Sequence, residues 1–152
     1  MIIEVKSEDE MKAFGKAIGV LLHGGEVIEL IGDVCSGKTT LTKGIAISLG
    51  ISEYIQSPSF TISRTYQGRN HITLAHYDFY RLDDAGIMAN ELNEVASDPN
   101  TVTIIEWAGI VEGVLPSDRL SIQIIAPTET SRELVCTSGG VVSKKLEEQL
   151  KL

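Results

Sequence analysis

Gly32-Asp33-Val34-Cys35-Ser36-Gly37-Lys38-Thr39 reads G-x-x-x-x-G-K-[ST], and the setting of these eight residues decides the fold. Before them, Glu26-Val27-Ile28-Glu29-Leu30-Ile31 is a short apolar run, predicted to be a strand over 26–31. Behind them, residues 39–49 read as a helix that stops at Gly50. A glycine-rich turn between a strand and a helix makes a phosphate cradle. Its backbone N–H groups turn inward at a helix N-terminus, where the dipole favours anions. Gly32, Asp33, Val34, Cys35, Ser36 and Gly37 form the predicted cradle. Lys38 adds a point charge for the outer phosphates, Thr39 a hydroxyl suited to Mg²⁺, and Thr40 follows at the mouth of the helix. The pattern implies a nucleoside-triphosphate binder, and a plain glycine turn fits the position poorly.

Working outward, residues 2–5 read as a first strand. Ser7 and Glu10 form a capping-box pattern, and Met11, Phe14, Ile18, Leu21 and Leu22 recur at helical spacing until Gly24-Gly25. Beyond the loop helix, residues 60–66 and 71–77 are predicted to pair as strands of a hairpin across Gln67-Gly68-Arg69-Asn70. A helix is expected over 83–95, weakened by Gly86, and a buried strand over 101–105. Two strands over 119–125 and 132–137 and a helix after Gly139-Gly140 complete the chain. The expectation is a three-layer α/β fold of the P-loop NTPase type. Its sheet is mixed, parallel at the centre and antiparallel at the hairpins.

The bulk properties narrow the class. The 152 residues suit one domain over 1–152, a size that buries about 68–70% of its unfolded surface. No apolar run approaches the ~20 residues of a membrane span, and the start lacks the pattern of a secretory leader. Cys35 and Cys136 have no partner spacing, which points to a reducing, cytoplasmic setting and away from zinc or a disulfide framework. A net charge of −8 opposes direct nucleic-acid binding, so any work on RNA is expected to pass through a partner protein.

A phosphate cradle binds; hydrolysis also needs groups that hold the metal and aim the nucleophile. In open α/β sheets these come from the carboxyl ends of neighbouring strands. Asp78 and Glu106 meet that requirement, each closing a predicted strand, and Glu106 has the stronger claim because its strand is the more apolar. The plainer readings are a turn aspartate and a solvated strand cap. Asp78 shares a strand face with His76, whereas His71 falls on the opposite face of that strand, so the two histidines cannot share a metal. Thr61 lies between the loop helix and Asp78, where a mobile switch would sit; by itself it reads as an ordinary strand residue. Trp107 follows Glu106 at the mouth of the site, although a lone tryptophan is more often a packing residue. Cys35 reads as a small residue tolerated by the loop, with a redox role the less favoured alternative.

Four strings now stand together: the loop, Ser57-Pro58-Ser59-Phe60-Thr61, His76-Tyr77-Asp78-Phe79-Tyr80-Arg81-Leu82 and Ile105-Glu106-Trp107. Their order and spacing resemble the bacterial TsaE (YjeE) family over nearly the whole chain. The resemblance implies ATP and Mg²⁺ as cofactors and a part in N6-threonylcarbamoyl modification of the tRNA adenosine beside the anticodon. It further implies action on the TsaB–TsaD pair, with TsaC and tRNA in the same pathway, through a nucleotide cycle that resets or regulates that pair between turnovers. Carried over residue by residue, Lys38 would act on the outer phosphates and Thr39 on Mg²⁺. Asp78 would be the metal-side aspartate, Glu106 the metal or water-positioning acid, Thr61 the switch threonine and Trp107 the tryptophan accompanying Glu106. Tyr80 and Arg81 would face either the partner or the γ-phosphate. The chain departs from the family in having Cys35-Ser36 for Gly-Ala, Ser59 for threonine, and Ala108-Gly109 where an acid often follows the tryptophan. Cys35 costs the cradle little at negative φ, and about 1–2 kcal/mol at positive φ.

Two other classes compete. A small-molecule kinase would carry an arginine-rich lid, but Arg64, Arg69, Arg81, Arg119 and Arg132 are scattered. A nucleotide-gated adaptor would need occupancy and little chemistry. A GTPase is disfavoured because no N-K-x-D string is present.

Overall fold

The computed structural model describes residues 1–58, 60–84 and 86–151. Seven strands form one sheet: β1 (Ile2–Val5), β2 (Val27–Ile31), β3 (Ser63–Gln67), β4 (Thr73–Asp78), β5 (Thr101–Glu106), β6 (Leu120–Ile125) and β7 (Arg132–Ser138). Their spatial order is β1-β7-β6-β2-β5-β4-β3. The centre is parallel, with β2 between β5 and β6 and β4 beside β5. The outer pairs β1/β7, β6/β7 and β3/β4 are antiparallel. The expected mixed sheet is therefore present, with the strand that feeds the phosphate loop at its middle.

Alternation along these strands sorts the core into two layers. Ile28, Leu30, Leu74, Ile104 and Leu120 face Ile18 and Leu22, on or just after α1 (Glu8–Leu21), and Leu41 and Ile45 of α2 (Lys38–Ser48). Val27, Ala75, Tyr77 and Ile105 face the other way, against Leu92 of α3 (Gly86–Ala96) and against Val111 and Leu115. Each fully buried leucine or isoleucine contributes about 1.5–3 kcal/mol. All six residues of β5 are buried, as a strand covered on both faces requires. Helices α1 and α2 touch through glycines: a Cβ on Gly15 would stand 2.3 Å from the Leu41 carbonyl oxygen, and one on Gly44 2.2 Å from that of Lys12. The last helix, α4 (Val141–Leu150), is capped from outside by Asp118, which accepts from Val142 N at 3.0 Å and Ser143 N at 2.9 Å. Burial alone would raise the Asp118 carboxyl, but the Ser143 and Val142 hydrogen bonds outweigh it and hold the group below its ordinary range. Among the described residues no helix is long and apolar enough to cross a membrane.

Several expected boundaries move, each for a local reason. The strand predicted over 60–66 begins only at Ser63, because Thr61 N and Ile62 N both bond the Pro58 carbonyl and Ile62 turns at φ 69°. His71 belongs to a 3-10 turn (Arg69–His71), with Asn70 and His71 at φ 53° and 64°, and is not a strand residue opposite His76. The helix predicted over 83–95 starts at Gly86, whose φ of 42° cannot sit inside a helix; Ser59 and Ala85 lie outside the described residues. At α1 the Ser7 hydroxyl accepts from Glu10 N as expected, but the Glu10 carboxylate accepts from Lys6 N, one residue before the Ser7 amide that a capping box would use.

Candidate functional site

The turn between β2 and α2 is held from several sides. Gly37 caps α2 at φ 111°, a conformation that suits a residue without Cβ. Cys35 also lies in the left-handed region, at φ 65°. The positive-φ case is the one realised, in a residue that departs from the glycine of the TsaE pattern. Lys38 is only 6% exposed, with Nζ 2.5 Å from the Gly32 carbonyl oxygen and 4.2 Å from the centre of the Trp107 ring. Burial holds its ammonium below the ordinary lysine value, opposed in decreasing order by the charges of Glu106, Asp78 and Asp33. The Gly32 carbonyl and the Trp107 face are the contacts that seat this buried cation beside the loop.

The two strand-end acids lie where the parallel register puts them. Asp78 and Glu106 are direct partners in the β4/β5 ladder, on adjacent strands about 4.8 Å apart, and their side chains share one face. Both are buried, at 3% and 2% exposure. Asp78 accepts from Tyr80 N at 2.9 Å and from the Ser57 hydroxyl at 3.3 Å. Glu106 Oε2 lies 2.6 Å from Nε2 of fully buried His76.

A cavity of about 930 Å³ runs along the loop. Its walls include Val34 to Thr40 of the loop and α2, both acids, Ser57, Tyr80, Arg81 and Trp107, together with Ser7, Met11, Thr130 and Arg132. Of the residues expected from sequence, Lys38, Thr39, Thr40, Asp78, Glu106 and Trp107 are brought together here. Gly32 and Asp33 are not; they line a second cavity of about 800 Å³ on the far side of the loop, and Gly32 serves the site through its carbonyl. Thr61 is exposed and outside the cavity lining, its hydroxyl 3.5 Å from the Pro58 carbonyl oxygen.

Two contributors, Arg132 and Ser57, escape sequence reading. Arg132 Nε donates to the Ser36 carbonyl at 3.0 Å, bracing the loop from β7. Nothing in the sequence reveals that β7 starts beside the loop, since this depends on the placement of β6 next to β2. Ser57 is masked by the Ser-Pro string that reads as a connector. Tyr80 and Arg81, both singled out by the resemblance, line the cavity: Tyr80 packs at a tilt on Trp107 with ring centres 4.8 Å apart, and Arg81 lies 4.5 Å over the exposed Phe60 ring.

Among the described residues no group of three or more His, Cys, Asp or Glu side chains could hold a metal by itself. Magnesium bound with a nucleotide asks for less: one or two carboxylates, with phosphates and waters supplying the other oxygens. The Thr39 hydroxyl, Asp78 and Glu106 are a hard-oxygen set of that kind.

Comparison with known proteins finds relatives along most of the chain. The family model for the threonylcarbamoyl adenosine biosynthesis protein TsaE matches residues 5–134. The tRNA threonylcarbamoyladenosine biosynthesis protein TsaE of Bacillus subtilis is 36% identical over 146 residues, 93% of this chain and 88% of that protein. Its counterpart in Borreliella burgdorferi is 37% identical over 123 residues, 79% of this chain and 87% of that one. The crystal structure of YdiB from Bacillus subtilis superposes with a TM-score of 0.83 at 32% identity, covering 99% of this chain and 93% of that one.

Proposed function

The chain belongs to the TsaE family, and on that premise we propose that it is a Mg²⁺-dependent ATPase serving threonylcarbamoyladenosine formation in tRNA. In this reading its nucleotide cycle acts on the TsaB–TsaD pair, with TsaC and tRNA in the same pathway. The carrying observation is that a phosphate loop, a buried ammonium and two strand-end carboxylates line one cavity.

The residues divide the work by position. Loop amides at the N-terminus of α2 take the phosphate oxygens. Lys38 exchanges its Gly32 carbonyl partner for an outer phosphate, and the Trp107 face holds the ammonium over that place meanwhile. Thr39, Asp78 and Glu106 would hold Mg²⁺, which when bound neutralises charge developing on the phosphate oxygens. Glu106, with one oxygen engaged by His76, offers the other to orient a water and accept its hydrogen bond. Thr61 would join by movement of the segment around it.

The test is ATP hydrolysis by wild type, Lys38→Ala and Glu106→Gln, with and without TsaB–TsaD and tRNA. Wild type should turn over slowly alone and faster with the pair. Lys38→Ala should lose nucleotide affinity, and Glu106→Gln should bind nucleotide but hydrolyse it about 10²-fold or more slowly. Hydrolysis that ignores the pair, or that requires a metabolite acceptor, would overturn the reading.

A further inference from the structure

His76 has no part in the division of work above except as a neighbour, yet it is the most completely buried polar ring in the site. It is 0% exposed on β4, two residues before Asp78 and on the same face. Its Nε2 lies 2.6 Å from Glu106 Oε2, while its Nδ1 is buried with no hydrogen-bond partner. A carboxylate only accepts, so a bond of this length needs the hydrogen on Nε2. A hydrogen on Nδ1 would be a buried donor with nothing to receive it, which the interior penalises. Both features select one tautomer, Nε2–H, and aim it at Glu106.

We propose that His76 is a positioning residue: its Nε2–H fixes the Glu106 carboxylate by Oε2 and thereby presents Oε1 to the cavity. The inference rests on the ATPase reading of Glu106. Glu106 is the last residue of β5 and leads directly into Trp107, whose backbone turns left-handed at φ 56°. A carboxylate on such a strand end has only its own torsions to hold it; the neighbouring strand supplies the second point of attachment. Asp78 is secured differently, by Tyr80 N and the Ser57 hydroxyl from the following turn and the preceding loop. The two acids are thus fixed independently, one from beneath by a ring and one from the sides by the chain around it.

The experiment reads the ring, the metal and the turnover separately. Nitrogen-15 spectra of histidine-labelled full-length protein should show His76 with hydrogen on Nε2 and a bare Nδ1. Electron paramagnetic resonance should then follow Mn²⁺ binding to the protein loaded with a non-hydrolysable ATP analogue. His76→Leu should weaken Mn²⁺ and slow hydrolysis by about 10–100-fold, the range for losing a partner that orients a metal ligand, with analogue affinity in chelator within about twofold. His76→Gln places an amide N–H near the Nε2 position and should restore Mn²⁺ affinity to within about threefold, whereas His76→Asn, too short to reach, should not. Thermal unfolding of all three checks that each is folded. A wild-type Mn²⁺ affinity and turnover in His76→Leu, equal failure of Gln and Asn, or hydrogen on Nδ1 would each overturn the proposal. Should the wild type take up no Mn²⁺ with the analogue, the ATPase reading falls, and the ring spectrum still decides the His76–Glu106 link.

Discussion

At the scale of single residues, Cys35 is the position where local sequence and local backbone disagree. Its φ of 65° puts a Cβ against the following carbonyl, at a cost of about 1–2 kcal/mol. Cys35→Gly removes that clash but adds freedom to the unfolded chain, so the net gain should be about 0.5–1 kcal/mol. A higher urea midpoint with an unchanged slope would register it; an unchanged midpoint would mean that the loop carries no such strain. The two thiols also differ in environment. Cys35 is exposed, whereas burial, with the charge of Glu147 adding to it and the N-terminal ammonium opposing, pushes the Cys136 thiol up to about 11. A thiol reagent near neutral pH should therefore titrate one group quickly in the folded chain and both in denaturant. Bound nucleotide should slow the first.

At the scale of elements, one arginine joins three of them. Neither α1 nor α2 has a basic residue in its last turn. Arg69, from the turn between β3 and β4, takes that place for both. Its Nε donates to the Ser48 carbonyl at 3.2 Å and its Nη2 to those of Gly19 at 3.0 Å and Leu22 at 3.3 Å. The planar fork reaches orphan carbonyls of two helix ends at once, which a lysine cannot copy. Arg69→Ala should cost about 2–3 kcal/mol in chemical denaturation, and Arg69→Lys should recover less than half of it. Equal stability of Lys and Arg there would reduce the contact to simple charge. This residue also marks the limit of what is legible in the sequence. The turn at 67–70 could be read from its composition, but its role could not, because the carbonyls it serves lie some twenty to fifty residues earlier. The loop, the two acids and the apolar strands were legible because each is encoded by neighbours in sequence. Strand order, the reach of Arg132 to Ser36 and the hold of His76 on Glu106 depend on register between strands, which no local pattern carries. The misplaced start of β3 has a different, local origin: Phe60-Thr61-Ile62 has strand propensity, yet the Pro58 carbonyl just before it captures two of its amides.

At the scale of the whole molecule, the site is a local expense within a well-packed fold. Lys38, Asp78, Glu106 and His76 are buried together at one end of the sheet, where apolar side chains of similar volume would stabilise more. At Lys38 burial outweighs the surrounding negative charges, so Lys38→Met should raise stability near neutral pH by about 1 kcal/mol, or some 2–4 °C in melting temperature for a chain of this size. The sign of the pH dependence follows from the direction of the lysine's shift. Its folded pKa lies below the ordinary 10.5, so between the two values the unfolded chain binds the extra proton. Wild-type stability accordingly gains from this group as pH rises through that window, and the advantage of Lys38→Met should shrink towards pH 10.5. Nucleotide acts in the opposite sense on the same pair of proteins. Mg²⁺ and ATP at about 100 times the dissociation constant should stabilise the wild type by about 2.7 kcal/mol through linkage and leave Lys38→Met nearly unmoved. Melting curves of both proteins, with and without Mg²⁺ and ATP across pH, would show the wild type starting lower and finishing higher. A wild type that already melts above Lys38→Met without ligand would mean that the three surrounding acids more than compensate the buried ammonium, and the cost would then lie with Asp78 and Glu106 instead.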